Sequence, residues 1–137
     1  MPPDYHMHTP LCRHAEGEPT EYAAQAVKLG LTEIGFTEHA PMPGDGFDNW
    51  RMLESEMDIY HEKLDQAEKD NPEINILRSL EVDYLPDYTE WIKSLSNLYE
   101  WDYLIGSVHY LGDKWCFDHP DHRDSWHGKD LSSVWSQ

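Results

Sequence analysis

Apolar residues recur along this chain with two alternating periods, short strand-like runs and longer helix-like stripes. Residues 5–8 (YHMH) read as a first short strand, followed by a polar loop from Thr9 to Glu18. Pro19 suits a first helical turn and opens a helix with apolar positions Tyr22, Ala23, Ala26, Val27 and Leu29; Gly30 closes it as a left-handed cap. Residues 33–37 (EIGFT) form a second strand, and the two prolines and two glycines of 38–48 make that stretch a loop. Leu53, Met57, Tyr60, Leu64 and Ala67 then repeat at steps of four and three, one stripe along a second helix that Asn71-Pro72 stops.

Residues 74–82 (INILRSLEV) are a third strand with Ile74, Ile76, Leu80 and Val82 on one face, which puts Glu81 on the other with Leu77 and Ser79. Pro86 starts a third helix that buries Tyr88, Trp91, Ile92, Leu95 and Leu98. Residues 103–109 (YLIGSVH) form a fourth strand, and 130–137 the first turns of a fourth helix. Strands alternating with helical crossovers predict an α/β fold with a parallel sheet or barrel. No internal repeat or low-complexity linker interrupts residues 1–137, which read as one domain.

Charge narrows the partners. Ten Lys and Arg face 27 Asp and Glu, a formal net charge of −17. Such an excess repels phosphate backbones and anionic bilayers, so neither nucleic acid nor membrane is an expected partner. A small phosphorylated substrate could still bind where metal cations reverse the local sign. Six Trp and eight Tyr supply packing surface enough to argue against disorder. The two cysteines, Cys12 and Cys116, make no disulfide framework and suit a reducing, cytoplasmic setting. No run approaches the roughly 18 apolar residues of a membrane span, and no signal region follows Met1.

Nine histidines nearly equal the Lys and Arg combined. In parallel α/β folds functional groups gather where strands end, and here every expected strand end delivers a metal-ligand residue type: His6 and His8, then His39, then Glu81, then His109. His6 and His8 are two apart, so both imidazoles leave the same side of a strand about 7 Å apart. His14 follows in the next loop. Each of these has an ordinary explanation when taken singly, as a surface, capping or core residue; four strand ends together outweigh it. Imidazole suits zinc, iron or manganese, and a carboxylate such as Glu81 can bridge two ions. His61, between acidic neighbours on the second helix, reads as solvated. His119, His122 and His127 lie in an acidic loop (118–130) that reads as substrate-facing or plain surface. A Cys12–His14 nucleophile pair lacks supporting context, and no glycine-rich phosphate loop occurs.

Four stretches, YHMHTPLCRHAEG (5–17), GFTEHAPMP (35–43), LEVDYLP (80–86) and GSVHYLG (106–112), span nearly the whole chain. Together they resemble the polymerase and histidinol phosphatase (PHP) superfamily, and most of all its histidinol-phosphate phosphatase branch. The resemblance implies a distorted, TIM-like (β/α)7 barrel, of which this chain would hold about four β/α units, and a site of three divalent ions, zinc, manganese or iron. It implies that His6 and His8 bind one ion, that Glu81 bridges it to a second held also by His109, and that His14 and His39 bind the third. A metal-bound hydroxide held by Glu81 and His109 would then attack the phosphorus of histidinol phosphate, a step of histidine biosynthesis. Glu16 and Asp118 are candidates, on charge alone, to meet the substrate's amine. Another small phosphoester is the alternative substrate. Family members are longer and draw further ligands from later strands, so a sheet ending after four strands is expected to expose an edge open to self-association, or to form an inactive metal-binding fragment.

Overall fold

The computed structural model describes residues 2–112 and 115–136. The expected strands form one sheet in which every neighbouring pair is parallel: β1 (Asp4–Met7), β2 (Glu33–His39), β3 (Asn75–Asp83) and β4 (Ile105–Ser107), in the order β1-β2-β3-β4. Between them run α1 (Pro19–Lys28), α2 (Met57–Asp70) and α3 (Thr89–Leu98). The result is a mixed α/β fold around a curled parallel half-barrel. No helix among the described residues is long and apolar enough to cross a membrane.

The helices begin and end where local chemistry dictates. Pro19 occupies the first turn of α1, and the Glu21 side chain reaches back to accept from the Glu18 amide at 2.8 Å. Gly30 follows the helix at φ +78°, a left-handed conformation that a side chain would strain. Two of the expected helix starts move. Leu53 belongs not to α2 but to the residue before a single 3-10 turn (Glu54–Glu56), and Pro86 opens another 3-10 turn (Pro86–Tyr88) ahead of α3. Leu98, expected in the core, is 58% exposed at the end of α3.

The alternation of strand residues sorts the sheet into two faces. Ile34, Phe36, Ile76, Leu80 and Val82 join Ala23 and Ala26 of α1 and Tyr60, Leu64 and Ala67 of α2 in the main core. The opposite parity carries Gly35, Thr37 and His39 on β2, paired in register with Leu77, Ser79 and Glu81 on β3. A Cβ on Gly35 would run into the Tyr103 hydroxyl, so that position holds glycine for space rather than for a turn. Tyr60 anchors α2 to the sheet: its fully buried hydroxyl lies 2.9 Å from the carbonyl oxygens of both Phe36 and Ser79. Tyr60→Phe is expected to cost about 1–3 kcal/mol, read as a lower urea midpoint at unchanged slope.

Boundaries shift most near the sheet's carboxyl edge. β2 continues through Glu38 and His39, which the loop-like composition of 38–48 had assigned to a loop, and β3 continues to Asp83. β4 covers only three of the seven residues expected of it, leaving His109 beyond the strand. There the chain turns into a hairpin that the pattern did not announce, β5 (Tyr110–Leu111) against β6 (Trp115–Cys116), antiparallel. Residues 120–126 of the acidic loop form a 3-10 helix (Pro120–Trp126), and α4 (Leu131–Val134) occupies part of the last expected helix, whose final residue, Gln137, lies outside the described residues.

Candidate metal centre

The carboxyl ends of the four strands converge on Glu81. Its Oε2 lies 3.0 Å from His6 Nε2, 3.3 Å from His8 Nε2 and 3.4 Å from His39 Nδ1, and its Oε1 lies 3.4 Å from His109 Nε2. One buried carboxylate thus gathers four imidazoles, three about Oε2 and one at Oε1. His14 completes the cluster, its ring 5.7 Å from that of His8 and 5.2 Å from that of His39. The His14 Nδ1 lies 2.9 Å from the Cys12 carbonyl oxygen, which can only accept, so Nδ1 carries the proton and Nε2 is left free. Every histidine that the strand-end argument selected stands in this cluster, and so does Glu81.

Strand register explains the convergence. His39 and Glu81 are direct partners across β2 and β3, so their side chains leave the same face side by side. His6 lies in β1 and His8 one residue past its end, with ring centroids 5.2 Å from one another. Three groups bring potential ligand atoms within 4.8 Å of each other: His6, His8 and Glu81; His39, Glu81 and His109; and His8, Cys12 and His14.

The electrostatics are those of too few charges shared among too many donors. Burial opposes a charge on Glu81, but hydrogen bonds from His8 and His6 and the nearby His39 and His109 outweigh it and pull its pKa down to about 2. His39 is held neutral, pushed down to about 3 by burial and by the neighbouring His8. Burial also opposes a charge on His8, yet hydrogen bonds with Cys12, Glu38 and Glu81 raise it to about 11. Two buried ring nitrogens of the cluster, His8 Nδ1 and His39 Nδ1, lack a well-formed hydrogen bond among the described residues, their nearest carboxylate oxygens, of Glu38 and Glu81, standing 3.5 and 3.4 Å away. Buried nitrogens without partners are costly, and a borderline cation among imidazoles and a carboxylate would satisfy them. The donor set fits divalent metal ions.

A second layer of carboxylates, which the sequence reading missed, stands behind the histidines. Glu38, fully buried, accepts from the amides of Thr9 and His39, both at 2.9 Å, and from the Thr9 hydroxyl, and its Oε1 lies 3.5 Å from His8 Nδ1. Asp83 accepts from the His109 ring and from Arg51. Proline and glycine in 38–48 masked Glu38; Asp83 carried no signal beyond its even spacing from Glu81.

The cluster opens on a cavity of about 220 Å³ lined by His14, His39 and His109 together with Trp50, Asp118 and His119. The Trp50 indole meets His39 edge-on at 4.7 Å and His109 at 5.2 Å, an apolar wall against the imidazoles. Asp118, half-exposed, has Oδ2 3.6 Å from His109 Nε2. Glu16 is exposed, and its carbonyl rather than its side chain is engaged, by the Tyr22 hydroxyl at 2.8 Å. Of the acidic-loop histidines, His119 reaches the cavity, whereas His127 is exposed. His61 is not solvated as expected. Its ring packs 4.1 Å from Tyr99 and 5.3 Å from Trp101, and burial beside Arg78 lowers its pKa.

Known proteins resemble this chain along most of its length. A probable histidinol-phosphatase of Deinococcus radiodurans is 36% identical over 133 residues, covering 96% of this chain and 51% of its own. The histidinol-phosphatase of Bacillus subtilis is 31% identical, covering 87% and 49%. The chain therefore spans about half the length of these curated relatives. A crystal structure of histidinol phosphate phosphatase from Lactococcus lactis subsp. lactis, in complex with zinc, L-histidinol and phosphate, superposes with a TM-score of 0.64 at 30% identity, covering 81% of this chain and 41% of that one. The PHP domain profile matches residues 4–133, and the chain belongs to the PHP domain family.

Proposed function

We propose that this chain forms the metal-binding portion of a phosphomonoesterase that hydrolyses histidinol phosphate to histidinol and inorganic phosphate. The observation that carries the reading is the single carboxylate of Glu81 between His6, His8, His39 and His109, the last two of which line a cavity with room for a small molecule. Relatives named as histidinol-phosphatases, and a similar structure that holds zinc, L-histidinol and phosphate, support the substrate class. The four parallel strands in sequential order suit the first units of a distorted (β/α)7 barrel.

In this reading His6, His8, His14, His39, Glu81 and His109 hold divalent ions, of which zinc, manganese and iron all suit the donors. Such ions supply a water of lowered pKa and neutralise phosphate oxygens. The chain's own residues do the rest. Glu81 would supply the buried negative charge that offsets bound cations. The Trp50 indole excludes water from one wall. Asp118, which lines the cavity beside His109, is placed to pair with an ammonium group carried by the substrate's organic end; Glu16 does not line that cavity. Hydrolysis breaks the ester P–O bond, with water oxygen bonding to phosphorus and the proton passing to the departing alkoxide.

The test is phosphate release from histidinol phosphate by the purified chain with added zinc or manganese, alongside metal content per chain. Turnover that a chelator and His8→Ala both abolish is the expected result. Metal bound at the cluster without turnover would favour the second reading, a metal-binding module without activity. Absence of bound metal would overturn both.

A further inference from the structure

His109 sits at the end of a buried chain of charged groups that no strand-end pattern announces. Its Nδ1 lies 2.6 Å from Asp83 Oδ1, and its backbone amide donates to the same oxygen at 3.1 Å. The Ser107 hydroxyl is the other polar group near Nδ1, at 3.3 Å. On its far side Asp83 Oδ2 accepts from Arg51 at 2.9 Å, and Arg51 Nε donates to Asp48 Oδ2 at 2.7 Å. Asp48 accepts in turn from the Tyr110 hydroxyl at 2.7 Å. Arg51 also donates to the Ala40 carbonyl at 2.9 Å, which ties the whole chain to the end of β2.

The groups have little freedom to rearrange. The side chains of Arg51 and Asp83 are 3% and 1% exposed. Arg51 lies over the Trp50 ring at 4.5 Å and the Phe47 ring at 5.3 Å. A carboxylate paired with a guanidinium is ionised and can only accept. The proton between Asp83 and His109 therefore resides on Nδ1, and Nε2 is the nitrogen presented to Glu81 and the cavity.

We infer that Asp83, locked by the Arg51–Asp48–Tyr110 chain, is a positioning residue that fixes the ring orientation and tautomer of His109 so that Nε2 is the metal-facing atom. Carboxylates behind metal-binding histidines act this way in general, and their loss weakens metal affinity about 10–100-fold. The inference rests on the metal-binding reading of the cluster proposed above. It adds that the affinity of one part of the cluster is set behind the ligands, by Asp83 at the end of β3 and the Arg51 side chain that holds it.

Zinc affinity of the full chain, measured by competition with a chromophoric chelator, tests it. Asp83→Asn is expected to weaken the tightest affected site about 10–100-fold, while the near-ultraviolet circular dichroism stays native. In a His109→Ala background the same substitution is expected to change zinc affinity less than about twofold, because the group it positions is gone. An equal loss in both backgrounds, or none in the wild-type background, overturns the inference. If the wild-type chain binds no zinc, the metal reading fails first, and that outcome is distinct. Should Asp83→Asn not fold, cadmium–nitrogen coupling in the wild-type chain decides: coupling to His109 Nε2 is expected, and coupling to Nδ1 overturns the positioning role.

Discussion

Glu81→Gln is expected to remove bound metal from the cluster and, with it, at least about a thousandfold of any phosphatase activity, since each cation contributes several kcal/mol of charge stabilisation. The substitution keeps shape and removes one charge. At present Oε2 serves His6, His8 and His39 within 3.4 Å and Oε1 serves His109. A neutral amide cannot hold two cations close together, and its NH₂ group would confront imidazole nitrogens that need to keep their lone pairs. The measurement is metal content per chain after dialysis, with circular dichroism to confirm the fold. Native metal content in a folded Glu81→Gln protein would sink the assignment of Glu81 as the bridge between ions. The same substitution is expected to release His8 from part of what raises its pKa, because the hydrogen bond with Glu81 is one of the contributions that outweigh burial there.

The cluster was legible in the sequence because a parallel sheet concentrates its strand ends at one edge. Once 5–8, 33–37, 74–82 and 103–109 are read as parallel strands, the residues that end them must meet. His6, His8, His39 and His109 do so within hydrogen-bonding or near-contact distance of Glu81. The argument needs only order and parity, so it survives errors of boundary. Glu38 was lost to such an error. The prolines and glycines of 38–48 outweighed its neighbours, and the strand ran on because β3 offered partners as far as the His39–Glu81 pair. The Arg51–Asp83 pair could not be read at all. Its members are 32 residues apart, one of them in an irregular segment whose path no periodicity predicts. His61 misled for a related reason: acidic neighbours on its own helix implied water, but Tyr99 and Trp101, just after α3, cover it.

Arg51→Met is expected to be the most destabilising single change outside the hydrophobic core, at about 3–5 kcal/mol, because it strips the counter-charge from buried carboxylates. The Arg51 side chain is 3% exposed, and its partners Asp48 and Asp83 are 9% and 1% exposed. Neither carboxylate can turn to water for compensation. Arg51→Lys should fall between wild type and Arg51→Met, since an ammonium keeps the charge but cannot reproduce the fork that reaches Asp48, Asp83 and the Ala40 carbonyl together. Urea unfolding in the presence of excess chelator separates this from any contribution of bound metal. A loss below about 1 kcal/mol, the range of an exposed pair, would mean that the triad is wetter than its burial implies. Removing all three charges, Asp48→Asn and Asp83→Asn with Arg51→Met, should recover part of the stability, because no uncompensated charge then remains. It should not recover zinc affinity, since His109 would still lack the carboxylate that orients it. Stability regained without affinity would locate the reason for this buried triad in the metal site rather than in the fold.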